Sequence, residues 1–416
     1  METRLAEWIQ GTSDGAKANE ILRACVHCGF CLATCPTYQL LGDELDSPRG
    51  RIYQIKRVLE GAPPTRETQL HLDRCLTCRS CETTCPSGVQ YGQLVDIGRA
   101  AVDERVTRPW RERAYRWLLR EGLTRPWIFG TALKLARRVR PALPASLRAK
   151  VGEARPAGAL PTRVHSRKVL LLNNCVQPSM SPSIDAATAR VLDWTGVQSI
   201  VARGSGCCGA IRQHLDDHTG ARGNFRRNID AWWPFIESGQ VEAIVINASG
   251  CGATVKLYGH LLRDDPAYAD KAKRVVELTR DVAEFVPQAI MARSQGESLD
   301  VRAAPASGRL VAFHSPCTLQ HGLQIRGKVE SLLTALGAEL MPVRDAHLCC
   351  GSAGTYSLLQ SQLSLTLRAQ KLANLLEKQP QVVLSANIGC ISHLQSATGT
   401  PVRHWIEWVE QALCRK

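Results

Sequence analysis

The chain has 416 residues, enough for two or three domains that each bury their own core. Its 52 lysines and arginines against 38 aspartates and glutamates give a charge of +14, which favours anionic partners. Seventeen cysteines would suggest disulfides in a short secreted chain, but here they cluster at metal-ligand spacing. The first residues lack an apolar signal segment, and no stretch approaches the roughly 18 apolar residues of a membrane span. We therefore expect a cytoplasmic chain whose membrane attachment is peripheral or through a partner.

Two runs of four cysteines near the start of the chain share the spacing Cys-x2-Cys-x2-Cys-x3-Cys-Pro. They are Cys25, Cys28, Cys31 and Cys35, and Cys75, Cys78, Cys81 and Cys85. This spacing directs three thiolates at one [4Fe–4S] cluster and the fourth at its neighbour, whereas zinc sites usually pair two Cys-x2-Cys units across a longer gap. The runs predict two [4Fe–4S] clusters with crossed ligation and a role in electron transfer. The expected ligands are Cys25, Cys28, Cys31 and Cys85 for cluster 1, and Cys75, Cys78, Cys81 and Cys35 for cluster 2.

Residues 1–104 form the predicted two-cluster ferredoxin-type domain, in which loops carry the cysteines and helices lie between them. Apolar residues recur at helical spacing from Arg51 to Glu60, which predicts a helix there. The turn before it contains Arg49 and Arg51. These two cations could offset cluster charge, or they could belong to a solvated helix start.

Residues 105–163 form a basic, aromatic connector and linker. Eleven cations lie between positions 105 and 140, against only Glu112 and Glu121, and five aromatic residues are interleaved with them. The pattern predicts two short helices with a break at Gly122–Pro126. A membrane-surface element, or a connector docked on a partner or on the chain's own second half, would explain the composition. Nucleic-acid binding is less favoured because no known reader motif accompanies the charge.

The remainder of the chain repeats itself, with one copy at residues 164–290 and a second at 291–416. In each copy, short apolar strands alternate with helical stretches such as Ala186 to Thr195 and Lys328 to Leu336. That alternation predicts an α/β module with a mostly parallel sheet. Residues 287–308, rich in alanine and serine, are the predicted link between the copies.

Each copy contains a Cys-Cys-Gly sequence and four matching cysteines. They are Cys175, Cys207, Cys208 and Cys251 in the first copy, and Cys317, Cys349, Cys350 and Cys390 in the second. Adjacent cysteines pair with each other only in a strained ring, so metal ligation or redox activity is favoured. Four thiols could hold zinc or an iron–sulfur centre, or they could be inert and fill turns. His314 could add a ligand to the second copy, but a lone histidine before a proline is more often a plain hydrogen-bonding residue. Cys414, near the terminus and unmatched, is expected to be incidental.

The doubled cysteine runs, the Ser47-Pro48-Arg49-Gly50-Arg51 turn and the two Cys-Cys-Gly modules resemble the iron–sulfur subunits of flavin-linked 2-hydroxyacid dehydrogenases. Residues 71–78 and 85–91 are most similar to the glycolate oxidase iron–sulfur subunits. The resemblance implies a multidomain α+β fold. A helical ferredoxin-like two-cluster domain is followed by two duplicated α/β Cys-Cys-Gly modules.

The same resemblance implies a subunit of an oxidoreductase complex, peripheral on the inner face of the cell membrane. An FAD-binding partner would oxidise glycolate to glyoxylate, and this chain would pass the electrons towards quinone without a catalytic residue of its own. Other flavin-linked dehydrogenases, for D-lactate or glycerol-3-phosphate, and a heterodisulfide-reductase-like enzyme are the alternatives. Heterodisulfide-reductase modules carry a fifth thiol where this chain has Ala248 and Asn387, which argues against that enzyme's catalytic cluster.

Overall fold

The computed structural model describes residues 1–142, 148, 151–152, 155–294 and 308–414. In chain order, the helices before the repeats are α1 Ser13–Ala24, α2 Pro36–Leu41, α3 Pro48–Leu59, α4 Arg66–Asp73, α5 Ser80–Thr84, α6 Tyr91–Asp103, α7 Trp110–Thr124 and α8 Pro126–Arg138. The chain as a whole divides into two compact units. The first unit comprises Met1–Leu118, His214–Asp216 and His347–Lys371, and the second comprises Leu119–Gln213, Asp217–Ala346 and Leu372–Lys416.

The first repeat contains β1 Arg167–Leu171, α9 Gln177–Met180, α10 Pro182–Trp194, β2 Val197–Ile200, α11 Ala210–His214, α12 His218–Glu237, β3 Ala243–Ile246, α13 Ser249–Val255, α14 Tyr258–Leu261, α15 Ala269–Leu278, β4 Thr279–Asp281 and α16 Val282–Ser294. The second contains β5 Leu310–His314, α17 Lys328–Ala335, β6 Glu339–Met341, α18 Tyr356–Leu359, α19 Ser361–Leu376, β7 Val382–Ser385, α20 Ile388–Gln395, β8 Val402–His404 and α21 Trp405–Leu413. No helix in the described ranges is long and apolar enough to cross a bilayer.

Helices form the core of the first unit. The Ser47 hydroxyl accepts a hydrogen bond from the Gly50 amide at 2.9 Å, and Pro48 occupies the first turn of α3. The helix therefore begins three residues before the predicted Arg51, and the residues predicted as a turn form its first turn. Helix α3 packs closely on α6. A Cβ at Gly98 would lie 2.5 Å from Ile55 Cγ1, so glycine permits this approach of the two helices. The packed pair supports the cysteine loops.

Two parallel four-stranded sheets lie in the second unit, in the orders β2-β1-β3-β4 and β6-β5-β7-β8. Their central strands are β1, β3, β5 and β7. These strands are mostly apolar and buried, apart from Arg167 and Lys168 at the start of β1 and Leu310 at the start of β5. Corresponding strands occupy corresponding positions in the two sheets, as expected of a duplication. The prediction of a helical ferredoxin-like region followed by two α/β modules is confirmed.

Contacts between α10 and α21 hold the two repeats together within the second unit. The Ser183 hydroxyl donates to Glu407 at 2.7 Å, and the Arg190 guanidinium pairs with Glu410 at 2.8 Å. Both carboxylates are largely buried, so these contacts are shielded from solvent.

Two details differ from the expected elements. The link predicted at 287–308 begins too early, because α16 continues through Pro287 to Ser294. The rest of that link, and much of the linker predicted at 141–163, lies outside the described residues. Part of the second cysteine loop is also helical, since α5 carries Cys81.

Candidate metal centres

Two neighbouring cavities in the first unit are lined by cysteines of both N-terminal runs. The cysteines that line the outer cavity are Cys25, Cys28, Cys31, Cys81 and Cys85. Those that line the inner cavity are Cys35, Cys75, Cys78 and Cys81. Cys81 and Tyr91 line both. Each cavity therefore receives thiols from both runs, as crossed ligation requires, and four thiols form a donor set that fits a [4Fe–4S] cluster.

The two cysteine loops share an unusual backbone. The second residue after the first cysteine of each run is left-handed, with φ of 56° at His27 and 52° at Thr77. So is the residue after the second cysteine, Gly29 in one loop and Arg79 in the other. A β-branched residue such as Thr77 rarely adopts this conformation, at a cost of roughly 1–3 kcal/mol. Strain repeated at equivalent positions indicates that both loops are shaped for the same ligand.

Burial keeps several of these thiols protonated in the absence of metal. It raises the pKa of Cys25, and it raises the pKa of Cys31 to about 11, with the neighbouring thiols adding to the effect. Burial also raises the pKa of Cys81 well above its usual range. Metal binding would have to displace these protons, so affinity for metal should rise with pH.

None of the seventeen cysteines, all of which lie in the described ranges, is in a disulfide. In the first Cys-Cys-Gly module the four predicted residues come together. The thiols of Cys175 and Cys208 both hydrogen-bond to Cys207 and lower its pKa well below the usual value. The Cys208 thiol also contacts Cys251. Four thiols that neighbour one another in turn, three of them buried, fit a thiolate-coordinated metal.

Side chains that the sequence did not indicate hold this array in place. The Asn228 amide nitrogen donates to the Cys207 carbonyl at 3.1 Å, and the Tyr258 hydroxyl donates to the Cys208 carbonyl at 2.9 Å. The Asn228 amide nitrogen also lies 3.2 Å from the Tyr258 hydroxyl. Both side chains are buried. They come from α12 and α14, and nothing in their local sequence marks them.

Steric constraints explain why the third residue of the Cys-Cys-Gly motif is glycine in both copies. Gly209 has φ +88°, and a Cβ there would lie 2.4 Å from the Phe225 ring. Gly351 has φ +85°, and a Cβ would lie 2.6 Å from the Ser364 carbonyl oxygen. In each turn the glycine amide donates to the first cysteine's sulfur, at 3.5 Å for Cys207 and 3.4 Å for Cys349.

The second set of cysteines is divided between the compact units. Cys349 and Cys350 belong to the first unit, whereas Cys317 and Cys390 belong to the second. His314 Nδ1 lies 2.9 Å from the Ser385 hydroxyl, in line with its expected hydrogen-bonding role. Cys414 contacts the Arg190 carbonyl and lies apart from the thiol array of the first repeat.

Some arginines of the basic segment, residues 105–140, are engaged in ion pairs with the cluster region. Arg108 pairs with Asp73, Asp103 and Glu112, and Arg116 pairs with Asp73 and Glu112, so these two arginines anchor the start of α7 to the cluster region. Arg113 and most of α8 remain exposed. The connector interpretation therefore describes the inner side of α7, and the exposed α8 face leaves room for a further contact.

The fold and the cysteine geometry define a class of iron–sulfur protein: a two-cluster helical domain joined to a duplicated cysteine-rich module. The 4Fe-4S dicluster domain family matches residues 21–89, and the cysteine-rich domain family matches residues 169–256 and 311–395. The chain is 51% identical to the Escherichia coli glycolate oxidase iron–sulfur subunit over 99% of both chains. It belongs to the glycolate oxidase iron–sulfur subunit family and carries 4Fe-4S iron–sulfur clusters.

More distant relatives are also similar. A probable glycolate oxidase iron–sulfur subunit of Bacillus subtilis is 28% identical over 89% of this chain and 88% of its own length. Lactate utilization protein A of Bacillus licheniformis is 27% identical, covering 56% of this chain and 92% of that protein.

Proposed function

We propose that this chain is the electron-transfer subunit of a glycolate-oxidising complex. It would receive electrons from the FAD of a partner subunit, which converts glycolate to glyoxylate, and pass them towards the respiratory quinone pool on the cytoplasmic side of the membrane. The observation that supports this most is the pair of adjoining cavities lined by the eight N-terminal cysteines. A [4Fe–4S] cluster in each cavity would supply a one-electron acceptor.

The proposed ligands are assigned by cavity. Cys25, Cys28, Cys31 and Cys85 face the outer cavity and would hold cluster 1, whereas Cys35, Cys75, Cys78 and Cys81 face the inner cavity and would hold cluster 2. The chain itself would contribute no catalytic residue for glycolate. Its role is to hold the clusters and to keep them adjacent, because Cys81 and Tyr91 line both cavities.

We also propose that Cys175, Cys207, Cys208 and Cys251 bind a further metal, as zinc or an iron–sulfur centre. The chain of sulfur contacts supports this, and so does the pattern of buried polar side chains that fixes the Cys207–Cys208 turn. Inert thiols would not need such positioning. For Cys317, Cys349, Cys350 and Cys390 the proposal rests on the sequence repeat and on the matching Gly351 turn.

Helix α8 supports a peripheral membrane contact. One side is fixed, since Arg137 donates to the carbonyls of Ser179 and Met180 at 3.1 and 3.3 Å. The other side exposes Trp127 by 71% and Leu135 by 60%, with Lys134 and Arg138 beside them. An exposed aromatic and aliphatic face bordered by cations is complementary to an anionic lipid surface. We therefore propose that α8 lies on the cytoplasmic face of the membrane.

Metal analysis of anaerobically purified protein tests the cofactor assignments. Two [4Fe–4S] clusters require about eight irons per chain. Cys78→Ser should disrupt one cluster and slow electron delivery to quinone while the partner's flavin stays reducible by glycolate. Cys414→Ser is the matched control and should change neither property. An iron content near zero in the wild-type protein would contradict the proposed function.

The additional centres have their own readout in the same experiment. Zinc or iron beyond the eight irons should be present in the wild-type protein and reduced in the Cys208→Ser/Cys350→Ser double variant. Low-temperature paramagnetic resonance distinguishes an iron–sulfur centre from zinc. Wild-type protein with only eight irons and no zinc would contradict the additional sites and leave the two-cluster proposal standing.

A further inference from the structure

Arg51 is a fully buried cation that lines the inner cavity together with Cys35, Cys75, Cys78 and Cys81. Its guanidinium is held on three sides. Nη2 pairs with Asp46 Oδ1 at 3.0 Å, Nε donates to the His71 carbonyl at 2.7 Å, and Nη1 donates to the Thr37 hydroxyl at 3.0 Å. A planar donor group bound in this way cannot turn away from the cavity. Its charge is therefore a permanent part of the cavity wall.

Asp46, the carboxylate paired with Arg51, is shared with a second cation. Asp46 also pairs with Arg74, through Oδ2 at 2.8 Å, and its Oδ1 lies 3.2 Å from His71 Nδ1. Two permanent cations thus share a single buried anion. Arg99 is also buried, and it donates to the Cys75 carbonyl at 2.7 Å. It therefore places a further cation beside Cys75, which lines the inner cavity. Arg51 and Arg99 thus place two buried guanidinium groups beside the inner cavity, and Asp73 and Asp96 lie on the Arg99 side.

Polar groups lie close to the sulfurs of the inner cavity. The Thr37 hydroxyl accepts from Arg51, donates to the Asp46 carbonyl at 3.0 Å and lies 3.3 Å from Cys35 Sγ. The Thr77 amide donates to Cys75 Sγ at 3.4 Å, and the Tyr91 hydroxyl donates to the same sulfur at 3.6 Å. Hydrogen bonds to sulfur and nearby charge are among the factors that set an iron–sulfur reduction potential.

The outer cavity has a different electrostatic environment. Its lining cation, Arg49, is paired with Glu44 at 2.7 Å, and the side chains of both are a third or more exposed. Cys28 and Phe30 beside it are exposed to solvent. Solvent at Cys28 and Phe30 can therefore stabilise added charge at the outer cavity, and the inner cavity has a fixed buried cation in its wall.

We propose that Arg51 is the buried counter-charge that makes the inner cluster reducible, by raising its reduction potential. Four thiolates give the oxidised cluster a net negative charge, and the incoming electron adds to it. A cation held in a low-dielectric wall stabilises the reduced form more than the oxidised form. Arg51 is thus a positioning residue for electron transfer. The inference rests on the ligand assignment proposed above.

Redox titrations of the holoprotein, followed by paramagnetic resonance, test this role. Arg51→Gln should lower the reduction potential of one cluster, changing its ratio of reduced to oxidised form at a fixed potential by at least tenfold, which is about 59 mV for a one-electron couple. Arg51→Lys keeps the charge and should retain most of the wild-type potential. Arg57→Gln, an exposed site on the same helix, should change neither cluster.

A variant with the opposite expected sign separates charge from structure. Asp46→Asn removes the anion that offsets Arg51 and Arg74, so the potential of the same cluster should rise. Damage to folding would instead lower the iron content of both variants without shifting their potentials in opposite directions. If Arg51→Gln fails to retain its clusters, the direction in which Asp46→Asn shifts the reduction potential decides whether the inference holds.

Two results would overturn the inference. One is an iron-replete Arg51→Gln protein with unchanged potentials, and the other is an Asp46→Asn protein whose potential is unchanged or lowered. Neither result would affect the proposed function, which fails only if the wild-type protein lacks the clusters.

Discussion

His404 is fully buried at the start of α21, where its imidazole Nδ1 accepts a hydrogen bond from the Ile406 amide at 3.2 Å. The Glu407 carboxylate accepts a reciprocal bond from the His404 amide at 3.1 Å, which completes a capping box. Burial lowers the pKa of His404 to about 3. The native state therefore keeps this imidazole neutral well below the pH at which an unfolded histidine becomes charged.

The free energy of unfolding depends on pH because the native and unfolded chains bind a proton at His404 with different pKa values. Below pH 6.5 the unfolded chain binds a proton at this residue that the native chain rejects, so stability is lost as the pH falls from about 6.5 to about 3. At pH 5 the loss should be on the order of 2 kcal/mol. His404→Asn preserves a capping side chain but cannot titrate, and it should reduce this loss.

Anaerobic urea unfolding at pH 7.5 and pH 5 measures the effect. The wild-type midpoint should fall further between the two conditions than that of His404→Asn. Equal shifts in the two proteins would show that other groups control the acid sensitivity.

Sequence spacing picked out the candidate cysteines but not most of the residues around them. Ligands close together in the chain leave a pattern, because a tight loop needs fixed intervals. The sequence indicates Arg51 only as one of two cations near the cysteine loops, and it does not indicate Thr37, Asn228 or Tyr258. Their roles depend on how separate helices pack, which one chain's sequence does not encode locally.

At the scale of elements, α8 presents an amphipathic face whose inner side is already occupied. The proposed lipid contact predicts that Trp127→Ala/Leu135→Ala weakens binding to vesicles containing anionic lipid, because it removes two exposed apolar side chains from the outer face. Flotation of the purified protein with such vesicles would measure it. Met291→Ala changes an equally exposed apolar residue on α16 and should bind like the wild type.

Charge should contribute separately to the same contact. Lys134→Glu/Arg138→Glu should abolish the preference for anionic over neutral vesicles. Arg116 and Arg120 are poor choices for such a test, because both are engaged in ion pairs. Undiminished flotation of both α8 double variants would remove the membrane contact from the proposal.

Helices and strands could be predicted where the sequence pattern that specifies them is local. The alternation of strands and helices, the break between α7 and α8, and the helix after Ser47 all follow from apolar periodicity and from proline or serine at helix starts. The prediction failed at Pro287, where α16 continues through a residue that usually ends helices. Packing of Val286 and Ala289 in the core accompanies this continuation.

At the scale of the whole molecule, the compact units do not follow the order of the sequence. The first unit includes His347–Lys371, which lies within the second repeat of the sequence. This segment contributes Cys349, Cys350 and the buried Tyr356 to that unit. The four-segment division inferred from the sequence describes the repeats and stays a prediction for the domains.

A fragment comprising residues 1–163 should therefore be defective, although it contains all eight predicted cluster ligands. Without His347–Lys371 it lacks part of its compact unit, and we expect it to retain less iron than the full chain after identical anaerobic reconstitution. Iron analysis and resistance to limited proteolysis would show this. A fragment with the full iron content would mean that the segment is dispensable for cluster binding.

The same division has a consequence for biosynthesis. The N-terminus of a chain emerges from the ribosome first, so the N-terminal cysteine loops emerge early. The last segment of their unit, His347–Lys371, emerges only after residue 371 has been translated. Completion of that unit is therefore delayed until much of the second repeat has been translated. Iron delivery has a long interval in which those loops are exposed and not yet enclosed by the complete unit.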